Sequence, residues 1–553
     1  MKHRSKLIWS LLFILVLSTI LAGCGSNNST VNDSDKSNSS GSNEPAIVKI
    51  TTARPVGSDY TFKDGEDIKN NVHNTWAKEE LGIDIEDIWT TADNEAYHTK
   101  LRLSLSTNEP LPDAFIVQDE ILIADLIESG KVLEISDAFE QYASERLKEM
   151  YGMYDSSLNQ VRSNGGLYGL PIFSSGDGTS PVLWVRQDWL DALSLEAPTN
   201  MEEFEKVMDA FTNQDPDKNG KDDTIGFALS ARDNFTNWMS DASFVFGAFT
   251  GNAIPGAWYE ENGELKYGSV HPGMKQGLAV MKDWASKGYL DPEAPILDPI
   301  KATESFIQGR AGMVTAPWWS GGWPLSDLLA NNPDAVLNAY MLPTGADGQS
   351  ARFMNSLNEG KVMLFNKDFK HMDKFFEYFD RIYDYAFETG DFQYGYFEGY
   401  DYAMVDGKPV YDFKKFPEPL EFLPKAGKYN LFWNPPLIPF DESNDALYLH
   451  EGNEPSSSAQ LRMSANNPVI TKAGAMNHQM KDSNAPDMFM GAPTQTLKSK
   501  GANLDKMVLE TFVSIVFSNA SVDSFDTFVK DWFDKGGKDV TEEVNEWYQS
   551  VNQ

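Results

Sequence analysis

The sequence predicts an α/β protein whose chain passes between two lobes. Its 553 residues exceed what one hydrophobic core accommodates, so two or more lobes are expected. Short β-rich runs alternate with helical periodicities, which is typical of βα units on a mostly parallel sheet. The stretch from Gly165 to Leu190 places two short apolar strands on either side of a loose Gly/Ser/Asp segment. This arrangement fits a hinge, in which a few loop residues change conformation while the lobes move as bodies.

Each predicted element follows from a local pattern. The strands are short apolar runs bounded by turn residues, at 47–50, 83–85, 114–117, 167–170, 182–185, 311–314 and 362–365. The helices carry apolar residues at spacings of three and four, at 68–76, 97–105, 204–211, 274–287, 305–307, 372–382, 504–516 and 525–533. The periodicity fails between Phe387 and Pro468, a segment rich in Tyr, Phe, Pro and Gly. We interpret this segment as a largely irregular insertion with short elements.

The first residues predict export and a lipid anchor. The basic start MKHRSK precedes an apolar run, 7–22, that is too short to span about 30 Å of hydrocarbon at about 1.5 Å per residue. The run ends in LAGC, and Cys24 is the only cysteine of the chain. These four residues resemble the bacterial lipobox, in which the cysteine becomes the lipidated first residue. We predict a lipoprotein signal peptide at 1–23; the alternative is an ordinary signal peptide with an incidental buried cysteine.

The amino-acid composition, and above all the net charge, limits the classes of partner that the protein is expected to bind. The net charge is −36, and removal of residues 1–23, which hold three basic and no acidic residues, makes it three units more negative. Such a surface repels polyphosphate and anionic lipid, which argues against nucleic-acid binding and direct adhesion to a membrane. Residues 24–44 are rich in Ser, Asn, Gly and Asp and predict a flexible tether.

A loop following the predicted helix 204–211 predicts a structural calcium ion. Oxygen ligands fall at the EF-hand positions 1, 3, 5, 7 and 9, where position 7 offers its backbone carbonyl: Asp215, Asp217, Asn219, Lys221 and Asp223. Gly220 occupies position 6, but Gly226 stands at position 12 in place of the bidentate Glu. The full motif is therefore absent. The alternative is a solvated Asp/Asn/Gly surface loop.

Motifs of enzyme chemistry are missing from the sequence. It contains no G-x-S-x-G elbow, P-loop or H-E-x-x-H, and its seven His have no pair at the spacing of zinc ligands. An Asp/Glu pair for glycoside hydrolysis stays open, because sequence separation does not give spatial separation.

Aromatic residues supply the positive signal for a carbohydrate site. Sugars stack their C–H faces on Trp and Tyr rings and direct their hydroxyls to polar side chains. Trp318, Trp319 and Trp323 follow a strand directly and lie among Ser and Gly, which favours accessible rings. Further candidates are less favoured: Trp238, Trp258, Tyr168 and Arg186. The alternative for each tryptophan is a place in the core, and for Arg186 a core ion pair.

Three segments carry a resemblance to a known family. GGLYGLP followed by LWVRQDWLDAL resembles the first interlobe crossover of the extracellular solute-binding proteins of carbohydrate ABC importers, the maltose-binding-like superfamily. The placement of APWW resembles the GPWxW segment of those proteins, in which a Trp stacks on the ligand. The ending FDTFVKDWFDKGGKDVTEEVNEWY resembles that of the large Gram-positive lipoprotein branch related to the alginate-binding proteins, which carry a similar calcium loop.

The resemblance implies a two-lobed periplasmic-binding-protein-like fold with a ligand cleft between the lobes. We expect lobe 1 to contain 45–172 with 349–410, and lobe 2 to contain 182–342 with 430–553. The hinge crossovers are expected at 173–181 and 343–348.

The resemblance also implies a function without covalent chemistry. We expect a monomer, lipid-anchored at the extracellular face of the cell membrane of a Gram-positive-type bacterium. It would capture an oligosaccharide by lobe closure and deliver it to the transmembrane subunits of an ABC permease. The membrane would be contacted through the lipid only. The alternative is a surface-anchored polysaccharide hydrolase or lyase that uses an Asp/Glu pair.

Overall fold

Two hydrophobic cores divide the protein into two lobes. The computed structural model describes residues 47–107 and 109–552, so the predicted signal peptide and tether lie outside the described residues. One core gathers buried side chains from 50–173 and 362–433. The core of the other lobe consists of two clusters of buried side chains, which come from 182–342 and from 446–544. The predicted α/β class and two-lobe organisation are therefore confirmed.

The first chain segment belongs to lobe 1. Its elements are β1 (Val48–Pro55), α1 (Val72–Leu81), β2 (Ile83–Thr91), α2 (Asn94–Thr107), β3 (Ala114–Val117), α3 (Glu120–Glu128), α4 (Ser136–Tyr142), α5 (Glu145–Met153), β4 (Arg162–Ser163), β5 (Gly166–Leu167) and β6 (Gly169–Pro171). Several helices begin at side-chain caps, such as α1 at Asn71, whose oxygen accepts from the amide of Asn74.

The second segment builds most of lobe 2. Its elements are β7 (Pro181–Arg186), α6 (Gln187–Leu193), α7 (Met201–Asn213), β8 (Ile225–Ala228), α8 (Ser243–Thr250), β9 (Trp258–Glu261), β10 (Glu264–Tyr267), α9 (Met274–Ser286), α10 (Pro299–Ile307), β11 (Ala311–Pro317), α11 (Asp327–Asn331), β12 (Leu337–Tyr340) and β13 (Arg352–Phe353).

The chain then returns to lobe 1 and ends in lobe 2. The returning segment contains β14 (Val362–Phe365), α12 (Met372–Ile382), α13 (Asp384–Phe387), β15 (Ala403–Val405) and β16 (Lys408–Val410). The last segment contains α14 (Asp441–His450), α15 (Ser458–Ser464), α16 (Pro468–Gln479), β17 (Asn484–Ala485), α17 (Gln495–Phe517), α18 (Ser524–Trp532) and α19 (Lys538–Val551).

Most strand pairs of the main sheets are antiparallel, so the expectation of mostly parallel strands is wrong. Lobe 1 has the strand order β3–β14–β6, and β14 is antiparallel to both neighbours. Lobe 2 has the order β12–β7–β11–β8, in which only β11 and β8 are parallel. The crossovers explain the difference. β14 and β7 enter their lobes from the hinge, so they run opposite to neighbouring strands that run toward it.

Three neighbouring chain segments form the hinge. The first crossing links Phe173 of the first core to Val182 of the second. The second crossing, 354–361, lies beside it, because the amides of Ile172 and Ser174 donate to the carbonyls of Lys361 and Leu357 at 2.9 and 2.8 Å. The third crossing, 434–440, also lies beside the first, since the backbone amide of Phe440 donates to the carbonyl of Ser175 at 2.8 Å.

The second crossing lies later in the chain than the predicted 343–348. Residues 343–353 still pack in lobe 2: a Cβ on Gly345 would lie 1.8 Å from the carbonyl oxygen of Ala248. β13 likewise pairs with β17. Lobe 1 also extends beyond the predicted 410, since Leu431, Phe432 and Trp433 lie in its core. A sequence rich in Gly and Pro, such as 343–348, predicts a bend of the chain. Whether that bend lies within a lobe or between two lobes depends on packing, which the sequence pattern does not show.

Candidate ligand-binding site

A cavity of about 630 Å³ lies between the two lobes. Lobe 1 contributes Tyr385 and Phe387, which pack against its core, and lobe 2 contributes Trp318 and Met463. The remaining walls are mostly polar: Ala386, Glu388, Leu437, Ile438, Asp441, Glu442, Asn444, Asp445, Ser457, Ala459, Gln460, Arg462 and Asn466. The volume and the mixture of aromatic and polar groups suit a small ligand held by both lobes.

A smaller cavity continues this space toward the hinge. Its volume is about 330 Å³, and it shares Tyr385, Leu437 and Glu442 with the larger cavity. Ser174 of the first crossing and Lys361 at the end of the second also line it. The two cavities together therefore extend from the hinge to Trp318.

Another cavity, of about 510 Å³, also lies between the lobes beside the second crossing, and it is lined by Glu120 and Gln160 of lobe 1 and by residues 254–257 and 485–491 of lobe 2. Its described lining contains no tryptophan. The cavity that holds Trp318 is therefore the one that combines the tryptophan segment predicted from the sequence with contacts from both lobes.

Trp318 and Trp319 face different surroundings although they are neighbours. Both lie in a 3-10 turn, Trp318–Gly321, in which successive side chains are about a third of a turn apart. Trp318 is 5% exposed and forms part of the cavity wall, and its indole N–H has no acceptor among the described residues. The indole N–H of Trp319 instead donates to the carbonyl of Gly178 in the first crossing, at 2.9 Å.

Trp319 belongs to a stack of three indoles outside the cavity lining. Its ring centroid lies 6.0 Å from that of Trp238, with 25° between the ring planes. It lies 6.4 Å from that of Trp323, with 11° between the planes. Trp323 is 54% exposed, so the stack reaches solvent. The structure thus brings together three of the predicted tryptophans and separates them from Trp318.

The other predicted ligand residues lie elsewhere. Trp258 is buried in the core of lobe 2, against the ring of Tyr267. Tyr168 packs against the core of lobe 1. Arg186 is 5% exposed, with its guanidinium 2.6 Å from Asp188 and over the ring of Trp189, as in the core ion pair considered above. None of the three lines the cavity that holds Trp318, and we omit them from the site.

The polar wall of the cavity is dominated by carboxyl groups. Burial raises the pKa of Glu442 from 4.5 to about 7. Burial also raises the pKa of Asp441, and the neighbouring charges of Asp445 and Glu388 raise it further. The guanidinium of Arg462 lies 4.5 Å from the ring centroid of Tyr385, where it makes a cation–π contact.

Most of these wall residues were missed in the sequence because they come from the segment 387–468. We expected that segment to be largely irregular, yet it contains α14 and α15, whose acidic first turn and Arg462 face the cavity. One signal was readable: the run DESND follows a Pro-rich stretch, as acidic residues at a helix start do.

The predicted calcium loop brings its oxygen-bearing side chains together. The side-chain amide nitrogen of Asn219 donates to the carboxylates of Asp217 at 2.8 Å and of Asp223 at 3.0 Å. The carboxylate of Asp215 accepts from the backbone amides of Asn219 and Gly220, both at 3.1 Å. Burial raises the pKa of Asp217, and the charges of Asp223 and Asp215 add to the rise. Lys221 is exposed.

The described residues contain neither a ready cluster of metal ligands nor a helix suited to a membrane. No group of three or more His, Cys, Asp and Glu side chains there forms a ready metal site. Within 47–107 and 109–552, no helix has both the length and the apolar character needed to cross a membrane.

Comparisons with known proteins agree with this architecture. The chain is 23% identical over 558 residues to the polygalacturonan/rhamnogalacturonan-binding protein YtcQ of Bacillus subtilis, with 98% of each chain covered. The substrate-binding protein FusA of Streptococcus pneumoniae, solved with kestose, superposes with a TM-score of 0.64 at 18% identity, covering 91% of this chain and 99% of FusA. Alginate-binding protein AlgQ2, solved without calcium, gives 0.62 at 16% identity, covering 91% and 98%.

The family model for bacterial extracellular solute-binding proteins matches residues 74–351. The family consists of binding proteins rather than enzymes, so the hydrolase or lyase alternative is not supported. With half of the chain matched and the two-lobed fold shared, the protein belongs to the bacterial extracellular solute-binding protein family.

Proposed function

We propose that the protein is the receptor of an ABC importer and that it captures an oligosaccharide between its lobes. The interlobe cavity carries this proposal, because it combines the Trp318 ring of lobe 2 with wall residues of lobe 1, Tyr385 and Phe387, beside many hydrogen-bonding groups. Related proteins also support a carbohydrate ligand: one is named for polygalacturonan, one for alginate, and one was solved with kestose.

Lobe closure follows from the position of the cavity. A sugar that stacks on Trp318 and contacts Tyr385 is held by both lobes only when they are closed, so its binding energy shifts the population toward the closed state. The three hydrogen-bonded crossings at the hinge guide this motion. The closed receptor then presents the sugar to the permease, and no covalent step is needed.

We further propose that Cys24 carries lipid and holds a monomeric receptor at the extracellular face of the membrane. The support is the LAGC sequence after a short apolar run and the absence of any second cysteine in the chain. Residues 24–44 would then be the tether between lipid and lobes.

The loop 215–223 is proposed to bind a structural calcium ion. The amide group of Asn219 lies between the carboxylates of Asp217 and Asp223, and a cation placed there would relieve their repulsion. Asp215, Asp217, Asn219 and Asp223 would supply side-chain oxygens and Lys221 its carbonyl. Relatives support this proposal, since FusA was also solved as an EF-hand mutant.

The experiment for the sugar site compares Trp318→Ala with Trp323→Ala. Binding to a panel of oligosaccharides is measured by calorimetry, and the tightest binder becomes the probe. Loss of a stacking ring worth about 1–3 kcal/mol should weaken binding roughly 5- to 150-fold for Trp318→Ala. Trp323→Ala, an exposed ring outside the cavity lining, should keep the wild-type affinity.

The opposite ranking would place the sugar on the indole stack and contradict the proposal. Trp318 is largely buried, and its removal also costs folding stability of about 3–5 kcal/mol. The melting temperature of each variant is therefore measured alongside affinity. Trp318→Phe keeps most of the packing and serves if the alanine variant does not fold.

A further inference from the structure

The charged groups that line the interlobe cavity are strongly unbalanced. Four carboxyl side chains face it, Glu388, Asp441, Glu442 and Asp445, against the single guanidinium of Arg462. The adjoining cavity adds Glu359 and Lys361, whose charged atoms are 3.1 Å apart in an ion pair. A ligand that enters therefore meets an excess of negative charge, on a chain whose net charge is −36.

Arg462, the one cation among the described residues that line the larger cavity, is already engaged. The guanidinium of Arg462 covers the ring of Tyr385 and lies 5.8 Å from the ring centroid of Tyr411. It also donates to the carbonyl of Tyr394 at 3.4 Å. These contacts hold the guanidinium against the wall, where it balances part of the charge of its neighbours. No other cation lines this cavity in the part of the chain that the structure describes.

The carboxyl groups themselves have few protein donors. Asp445 accepts from the side-chain amide of Gln460 at 2.9 Å, and Glu388 accepts from the backbone amides of Ser458, at 3.1 Å, and of Ala459, whereas Asp441 and Glu442 depend on burial with fewer donors. The raised pKa values of Asp441 and Glu442 follow from burial with incomplete compensation. Sugar hydroxyls are the missing donors, since a carboxylate can accept from two neighbouring hydroxyls at once.

We propose that this cavity selects uncharged oligosaccharides and rejects uronates. The inference rests on the proposed function and narrows it to a class of sugar. Hydroxyl groups of an uncharged sugar would donate to Glu388, Asp441, Glu442 and Asp445, and its C–H face would cover Trp318. A uronate would bring its own carboxylates against these four. The chain would thus differ from YtcQ, whose name describes an acidic polymer.

The test uses the full chain and glycans matched for length. Tetragalacturonate is compared with its methyl ester, which has the same rings and linkages without the charge, and with uncharged fructo-, xylo-, manno- and arabino-tetrasaccharides. Affinities are measured by calorimetry at two salt concentrations and at pH 8, above the pKa of about 7 of Glu442, so that its carboxyl group is ionised. The tightest uncharged glycan should bind on the order of 100-fold more tightly than tetragalacturonate, because like charges in a desolvated site repel strongly. Any binding of tetragalacturonate should strengthen as salt screens that repulsion.

A paired variant removes the repulsion directly. Glu442→Gln combined with Asp445→Asn should raise the ratio of the affinity for tetragalacturonate to that for its methyl ester at least about 10-fold, because both ligands lose the same hydroxyl contacts and only the charged one gains from the removed repulsion. Tetragalacturonate binding to the wild type as tightly as the best uncharged glycan would overturn the inference while leaving the proposed function intact. Binding of no glycan at all would overturn both.

Discussion

At the scale of single residues, Glu442 is a carboxyl group held where its charge is poorly solvated. It lies in the first turn of α14, between both interlobe cavities, and its pKa of about 7 reflects burial. The folded protein therefore binds a proton there between about pH 5 and 7 that the unfolded chain releases. Folding stability then falls as pH rises through this window, since the unfolded state binds fewer protons.

Glu442→Gln should remove this pH dependence. We expect the variant to match the wild type near pH 4.5, where Glu442 is protonated in the folded state, and to exceed it by about 2 kcal/mol at pH 8. Urea unfolding at pH 4.5, 6 and 8 measures the difference. If the free energies of unfolding of the variant and the wild type differ by the same amount at all three pH values, burial does not raise the pKa of Glu442.

The tryptophan residues show how far sequence reasoning reaches at this scale. A strand end followed by Pro and Trp318-Trp319 located an aromatic segment beside the cavity. The pattern could not show which ring lines the cavity, because in a 3-10 turn one residue of offset changes the direction of a side chain by about 120°. It also gave no means of separating buried Trp258 from half-buried Trp238.

At the scale of elements, the loop 215–223 brings acidic side chains together on a short segment between a helix and a strand. Asp217 and Asp223 both contact the amide of Asn219, and Lys218 and Gly220 adopt positive φ values of 56° and 74°. The loop joins α7 to β8, so its order bears on the stability of lobe 2.

Calcium should raise the melting temperature of the wild type but not of Asp217→Ala. Bound cation offsets the repulsion among the carboxylates, and a ligand that binds only the folded state stabilises it. The measurement is a thermal melt of metal-free protein with calcium and with chelator. Asp222→Ala, an exposed neighbour outside the proposed ligand set, is the control and should respond as the wild type does. Identical melting of the wild type under both conditions would argue against the site.

The elements hardest to anticipate were α14 and α15. They bury small or flexible residues against the second core, such as Ala446 and Met463, so no bulky apolar stripe marks them. By contrast α12, with Phe375, Phe376 and Phe379 on one face, was evident from its spacing. Apolar residues at helical spacing reveal a helix that buries large side chains. A helix with polar site residues on one face and small buried residues on the other shows little of this spacing in its sequence.

At the scale of the whole molecule, anchoring and lobe motion are separate properties. The two cores and three crossings belong to residues after the tether, so the lobes should bind sugar whether or not lipid is attached. Stable membrane binding in turn needs more than one acyl chain, each buried CH₂ contributing about 0.8 kcal/mol.

Cys24→Ala should release the protein from cells into the medium with unchanged sugar affinity. The reason is that the only candidate for lipid attachment is lost while the lobes are untouched. Fractionation of cells and medium followed by immunoblotting measures the release, and Ser26→Ala in the predicted tether serves as the control. Full retention of the Cys24 variant at the membrane would contradict lipid anchoring.

The strand order of lobe 1 has a consequence for the time course of synthesis. β3 and β6 are not adjacent; β14 lies between them, and it is encoded after the whole second segment that builds lobe 2. Because the N-terminal part of the chain is available first, β3 and β6 keep unpaired edges until β14 is available to pair with both. Such long-range pairing slows folding and exposes the chain to aggregation. Lobe 1 can therefore complete its sheet only after β14 is available, wherever the chain folds, so a chain cut short before Val362 would leave β3 and β6 unpaired at this position.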